Sequence, residues 1–96
     1  MDIRITFRHK KSSQSLQDTI HDEVSKLEKF ADNITSCHVI LDTEGLNEKI
    51  EITMHAAGHE VVAHETAENL GKALDGVIEK VERQLKKLNE KIKSHK

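Results

Sequence analysis

The last third of the chain carries the feature that most restricts its fold. From Leu70 onward, apolar residues recur at Leu74, Val77, Val81, Leu85, Leu88 and Ile92, and no proline interrupts them. Steps of three and four residues put all seven on one stripe of an α-helix. A stripe of that length needs cover, so the rest of the chain must supply an apolar layer for it. Asn69 stands just before the stripe and suits an N-cap, because its side-chain oxygen can accept from an N–H that the first turn leaves unpaired.

The layer is written in period two. DIRITFR puts Ile3, Ile5 and Phe7 on one face and Arg4, Thr6 and Arg8 on the other, the pattern of a half-buried strand. CHVIL, with Cys37, Val39 and Leu41, and KIEITMH, with Ile50, Ile52 and Met54, repeat it on either side of the turn-like TEGLNE. HEVVAHE follows the short turn AAG, where Gly58 can take the positive φ of a tight hairpin. With Ala57 and Gly58 as the turn, Met54 faces Val61 and Ile52 faces Ala63 on the buried side. The same register sets His55 opposite Glu60 and Glu51 opposite His64 on the open side. Between the first two strands, Ser12 or Ser13 can cap a helix that carries Leu16, Ile20, Val24, Leu27 and Ala31 and ends near Ala31. The expected fold is α+β in the order βαβββα, one four-stranded mixed sheet with two helices packed on one face.

With 96 residues, the chain can bury about two thirds of its unfolded surface in a single core, so residues 1–96 read as one domain. That core is aliphatic: Trp and Tyr are absent, and Phe7 and Phe30 sit where they face or edge it. The lone Cys37 excludes an internal disulfide and a cysteine metal cluster. It alternates with core residues, which predicts a buried, inert thiol. A reducing, cytoplasmic setting fits this usage. The amino terminus lacks the unbroken apolar run of a signal peptide, and the longest apolar run is far short of the roughly 20 residues of a membrane span. No membrane partner is expected.

A formal charge of −2 conceals a strong asymmetry. Residues 79–96 hold seven Lys/Arg against three Glu, a net of +4, which leaves −6 for the rest. At about 100° per residue with Leu70 at zero, Lys80, Arg83, Lys87 and Lys91 fall between about 220° and 300°. Glu68, Asp75, Glu79, Glu82 and Glu90 fall at about 120° to 200°, and Lys86 lies among them near 160°. On the first helix, with Leu16 at zero, Lys26 and Lys29 fall at about 280° and 220°, the corresponding flank. Arg8, Lys10 and Lys11 form a further basic cluster where the first strand runs out. A solvated face laced with salt bridges is one reading of these stripes; a surface for phosphates, which release counterions when lysine and arginine engage them, is the other. Without exposed aromatics to stack bases, binding should be to backbone and shape, which suits a folded RNA.

Other constellations argue against an enzyme. In HEVVAHE, His59 and His64 are five apart, whereas a zinc-protease pair needs two histidines four apart on a helix. His38, His55 and His64 can share the open sheet face as solvent-facing side chains beside Glu51 and Glu60. None of the four glycines builds a phosphate loop, and no carboxylate pair is poised for acid–base work. Metal, cofactor and small-molecule substrate are therefore not expected.

The order of elements, together with ITFRH, LEKF at 27–30, HVIL at 38–41 and ALDGVIEKVERQLKKLNEKIK at 73–93, resembles the ribosome hibernation-promoting factor and ribosome-associated inhibitor family, also called sigma-54 modulation proteins. The resemblance covers essentially the whole chain and is most specific in its last segment. It implies a non-catalytic factor, monomeric when free, that binds the small ribosomal subunit and its rRNA in the mRNA and tRNA channel and silences translation. By position it assigns the RNA contacts to Lys26, Lys29, Lys80, Arg83, Lys86, Lys87 and Lys91. Without the second domain of long members, the chain resembles the short type. The alternatives are a generic structured-RNA binder and a non-RNA interaction scaffold, the latter associating through the open sheet face or an edge strand.

Overall fold

The computed structural model describes residues 1–31 and 33–94, with side chains as far as Glu90. Lys91 of the predicted basic flank and Ile92 of the apolar stripe lie outside the described side chains. The elements run β1 (Asp2–Phe7), α1 (Gln14–Ser25), a 3₁₀ segment (Lys26–Phe30), β2 (Ile34–Glu44), β3 (Asn47–Ala56), β4 (His59–Ala67) and α2 (Leu70–Ser94). The sheet order is β1-β2-β3-β4, with β1 parallel to β2 and the other pairs antiparallel. A parallel pair cannot be joined by a tight turn, and α1 is the crossover that joins this one. The expected mixed βαβββα fold is the observed one.

The predicted hairpin register is observed: Met54 pairs with Val61, Ile52 with Ala63, His55 with Glu60 and Glu51 with His64. Both central residues of its turn have positive φ, 51° at Ala57 and 78° at Gly58, the pattern of a type I′ turn. Alanine in that region costs about 1–2 kcal/mol, and the Ala57 N–H is held there by the Asn33 carbonyl at 3.1 Å. Strands β2 and β3 extend beyond their apolar cores, because Thr43 pairs with Glu48 and Glu44 with Asn47; a backbone ladder does not require apolar side chains.

The first helix departs from expectation. It is α-helical only to Ser25, then tightens into the 3₁₀ segment that ends at Phe30. Three residues per turn eclipse positions i and i+3, which keeps buried Leu27 and half-buried Phe30 on the core side. Lys26 and Lys29 are eclipsed in the same way, so the directions predicted for them from a 3.6-residue period do not hold. Ser13, not Ser12, is the cap, its Oγ accepting from the Leu16 N–H at 3.3 Å. Asn69 caps α2 as predicted, with Oδ1 accepting from the Lys72 N–H at 2.9 Å.

One continuous core joins the layers. Ile20, Val24 and Leu27 meet Val39, Leu41, Ile50, Ile52 and Met54 from the sheet and Val77, Val81 and Leu85 from α2. Burying each large aliphatic side chain contributes about 1.5–3 kcal/mol. Cys37 belongs to this core, and burial pushes its thiol up to about 12. Helix α2 lies over β3 and β4, with α1 and the 3₁₀ segment beside it.

Candidate nucleic-acid interface

Strand β4 is an edge of the sheet, and α2 runs back along it. Val62, Ala63 and His64 of β4 and Lys80, Arg83, Gln84 and Lys87 of α2 line a shallow groove of about 350 Å³. Two α2 side chains reach the outer carbonyls of the edge: Gln84 Nε2 donates to Val62 O at 2.9 Å and Lys80 Nζ to His64 O at 3.0 Å. An uncovered edge would offer those groups to another chain. Lys80 also pairs with Glu65 at 3.3 Å. The Thr66 N–H, first, and Lys80, second, hold the Glu65 carboxyl below its ordinary range. Gly76 makes room for this carboxylate, since a Cβ there would lie 2.8 Å from Glu65 Cγ and Oε2.

Lys80 has the His64 carbonyl and Glu65 as partners, but the other two cations of the groove are held loosely. Arg83 pairs with Glu79 one turn away, and its side chain is 69% exposed. Lys87 makes no ion pair among the described residues. Exposed pairs of this kind contribute at most about 1 kcal/mol, so exchanging carboxylate for phosphate costs little. Lys80, Arg83 and Lys87 therefore do form one basic flank, as the 3.6-residue period predicts.

Lys26 and Lys29 do not continue that flank. Lys29 instead meets α2 on its other side, where its Nζ lies 5.1 Å and the Lys86 Nζ 5.0 Å from the centroid of the Phe30 ring. Lys86, predicted among the acids, does pair with Glu82 at 2.9 Å, and Lys26 pairs with Glu23 at 3.5 Å. A second, smaller group of cations thus sits at the seam between the 3₁₀ segment and α2.

Arg8, Lys10 and Lys11 stand apart from both groups. The pairs Phe7 with Leu41 and Glu48 with Ala67 mark one end of the sheet, and the 57–58 turn marks the other. The Lys80 end of the groove, at Glu65, is level with the Phe7 end, but β1 and β4 are opposite edges of the sheet, three strand spacings or about 14 Å apart. Lys10 pairs with Glu48, and its side chain is only 14% exposed. Desolvation, partly offset by Asp42, lowers its pKa. His9, at φ 57°, places Nδ1 2.9 Å from Asp42 Oδ1. That hydrogen bond, then the Thr43 N–H, holds the Asp42 carboxyl low. Lys10 is a structural lysine; Lys11 is exposed.

On the open sheet face, His38, His55 and His64 share one side as the register requires. His38 Nε2 meets Thr6 Oγ1 at 2.8 Å, and His55 meets Glu60 at 3.3 Å. Among the described residues, no three metal-ligating side chains converge. Sequence reasoning missed Gln84, Glu65 and Phe30 as parts of the basic surfaces. An edge strand in need of cover was the available signal for Gln84.

Residues 3–93 match the family model described as sigma 54 modulation protein / S30EA ribosomal protein. The chain is similar to the ribosome hibernation promoting factor of Azotobacter vinelandii, 38% identical over 95% of this chain and 85% of that protein. It is 30% identical to that of Escherichia coli, over 99% of this chain and all of that protein. Among solved structures, the N-terminal domain of Protein Y from Thermus thermophilus superposes with a TM-score of 0.85 at 22% identity, covering 92% of this chain and 99% of that one. A ribosomal subunit interface protein from Coxiella burnetii superposes at 0.86 and 21% identity, covering 93% and 98%. These structures share the βαβββα fold, and with the family match over 3–93 the chain belongs to the sigma 54 modulation protein / S30EA ribosomal protein family.

Proposed function

We propose that this protein is a non-catalytic, cytoplasmic ribosome hibernation factor, monomeric when free, that binds the small ribosomal subunit through rRNA and sterically blocks translation. The observation that carries the reading is the basic flank of Lys80, Arg83 and Lys87 beside β4, in which Arg83 and Lys87 are loosely held. Three cations on one rigid helix can each displace counterions from a phosphate without refolding anything. The absence of stacking aromatics in that groove suits recognition of RNA shape and backbone, as in a folded rRNA. Relatives named ribosome hibernation promoting factor over nearly the whole chain support the same assignment. Sedimentation with purified ribosomes and separated subunits tests it. Co-migration with the small subunit, weakening steeply as salt rises, is expected; absence from every ribosomal fraction at low salt would overturn it. Binding to any structured RNA as tightly as to the subunit would favour a generic RNA-binding module instead.

A further inference from the structure

Phe30 is one of only two aromatic residues in the chain, and two lysines distant in sequence converge on its ring. Lys29 comes from the 3₁₀ segment and Lys86 from α2, with ammonium nitrogens 5.1 Å and 5.0 Å from the ring centroid. Those two distances keep the nitrogens within about 10 Å of each other. Like charges this close repel, and the electron-rich face of an aromatic ring offsets part of that cost. We propose that Phe30 is a positioning residue, whose ring gathers Lys29 and Lys86 into one phosphate receptor at the seam between the 3₁₀ segment and α2.

Three features support the assignment. Phe30 is half-buried against the core, so its ring is fixed while part of it still faces the lysines. The 3₁₀ geometry sets both Phe30 and Lys29 at the end of their turn, close to α2. Lys29 has no ion-pair partner among the described residues, and Lys86 has only Glu82, through an exposed pair that a phosphate can replace. The ligand class is a phosphodiester backbone, bound separately from the groove of Lys80, Arg83 and Lys87. This deepens the ribosome reading and rests on it for the identity of the RNA.

The test has two parts. In the free protein, proton NMR should show the ε-methylene protons of Lys29 and Lys86 displaced upfield by the ring, and Phe30→Leu should abolish the displacement. Affinity is then measured for purified small subunits and, separately, for poly(U). Phe30→Leu should weaken binding about fivefold, the order expected from two exposed cation–π contacts. Phe30→Trp should restore it to within about twofold, since Trp is the better cation–π partner. In a Lys29→Ala, Lys86→Ala background, Phe30→Leu should cost nothing further. Absence of the upfield displacement in the wild type overturns the proposal, as does an equal fivefold loss in the double-alanine background, which would make Phe30 a packing residue only. If the cycle holds on poly(U) while no variant binds subunits, the seam stands and the ribosome reading falls.

Discussion

Lys10 and Lys87 are the same residue type at two places in one small domain, and they have opposite fates. Lys10 is folded against the sheet end, largely buried and paired with Glu48. Lys87 lies along the groove between α2 and β4 and makes no ion pair among the described residues. The difference lies in what each would leave behind by turning to a phosphate. Lys10 would abandon a carboxylate that is itself only 27% exposed, whereas Lys87 would give up contact with water. A cation is available to a ligand when its present partner is weak, and net charge near it says little about that.

The widest separation of the two regions comes from charge reversal on α2. Lys80→Glu, Arg83→Glu and Lys87→Glu together should reduce small-subunit binding by at least about 100-fold while the fold is retained, because these positions flank the buried stripe. Glu79→Lys, Glu82→Lys and Glu90→Lys change the same number of charges on the other flank and should not weaken binding. Filter binding and circular dichroism on both triple variants decide it; equal behaviour would mean that net charge matters and position does not.

A single pair of substitutions sharpens the contrast. Lys10→Ala should cost about 1–2 kcal/mol of stability, since it strands a mostly buried carboxylate, and should leave subunit affinity unchanged. Lys87→Ala should leave the melting temperature in place and make the salt dependence shallower by about one unit of slope. Denaturant titration and salt-dependent binding, run on both, exchange roles if the assignment is wrong.

Smaller effects follow from the carboxylates. Gly76→Ala should gain helix propensity, about 1 kcal/mol in isolation, but its Cβ must push Glu65 aside. Freed from Glu65, Lys80 should bind subunits about twofold more tightly, an effect within reach of competition binding. Acid should act on both regions at once. The Asp42 and Glu65 carboxyls are held low in the folded state, so their contribution is fully present above the ordinary carboxylate value and is lost as pH falls below about 4. Asp42→Asn and Glu65→Gln should each flatten that acid limb in thermal melts taken from pH 5 to 2.

Most of the fold was legible because its signals are local. Ile52, Met54, Val61 and Ala63 fix the β3–β4 register by alternation, and Gly58 marks the turn between them. The end of the first helix was not legible, because Leu27 and Phe30 meet the core only after the sheet and α2 are in place. The basic flank of Lys80, Arg83 and Lys87 could be read from helical spacing alone. The Lys86–Glu82 pair could be read the same way, but the burial of Lys10 against Glu48 and the placing of Lys86 over the Phe30 ring could not: those partners are far away in sequence, and no local pattern brings them together.

The covering of β4 has a consequence for how the protein behaves at high concentration. Gln84 and Lys80 both occupy carbonyls that would otherwise template a neighbouring strand, but only Lys80 carries a charge that a polyanion would draw away. Gln84 is uncharged and has no reason to leave, so the edge keeps a permanent stopper next to a removable one. Colloidal stability and affinity are thereby assigned to adjacent turns of one helix. Loss of the amide at position 84 would show itself as slow precipitation of concentrated stocks, with subunit binding by the remaining monomer intact.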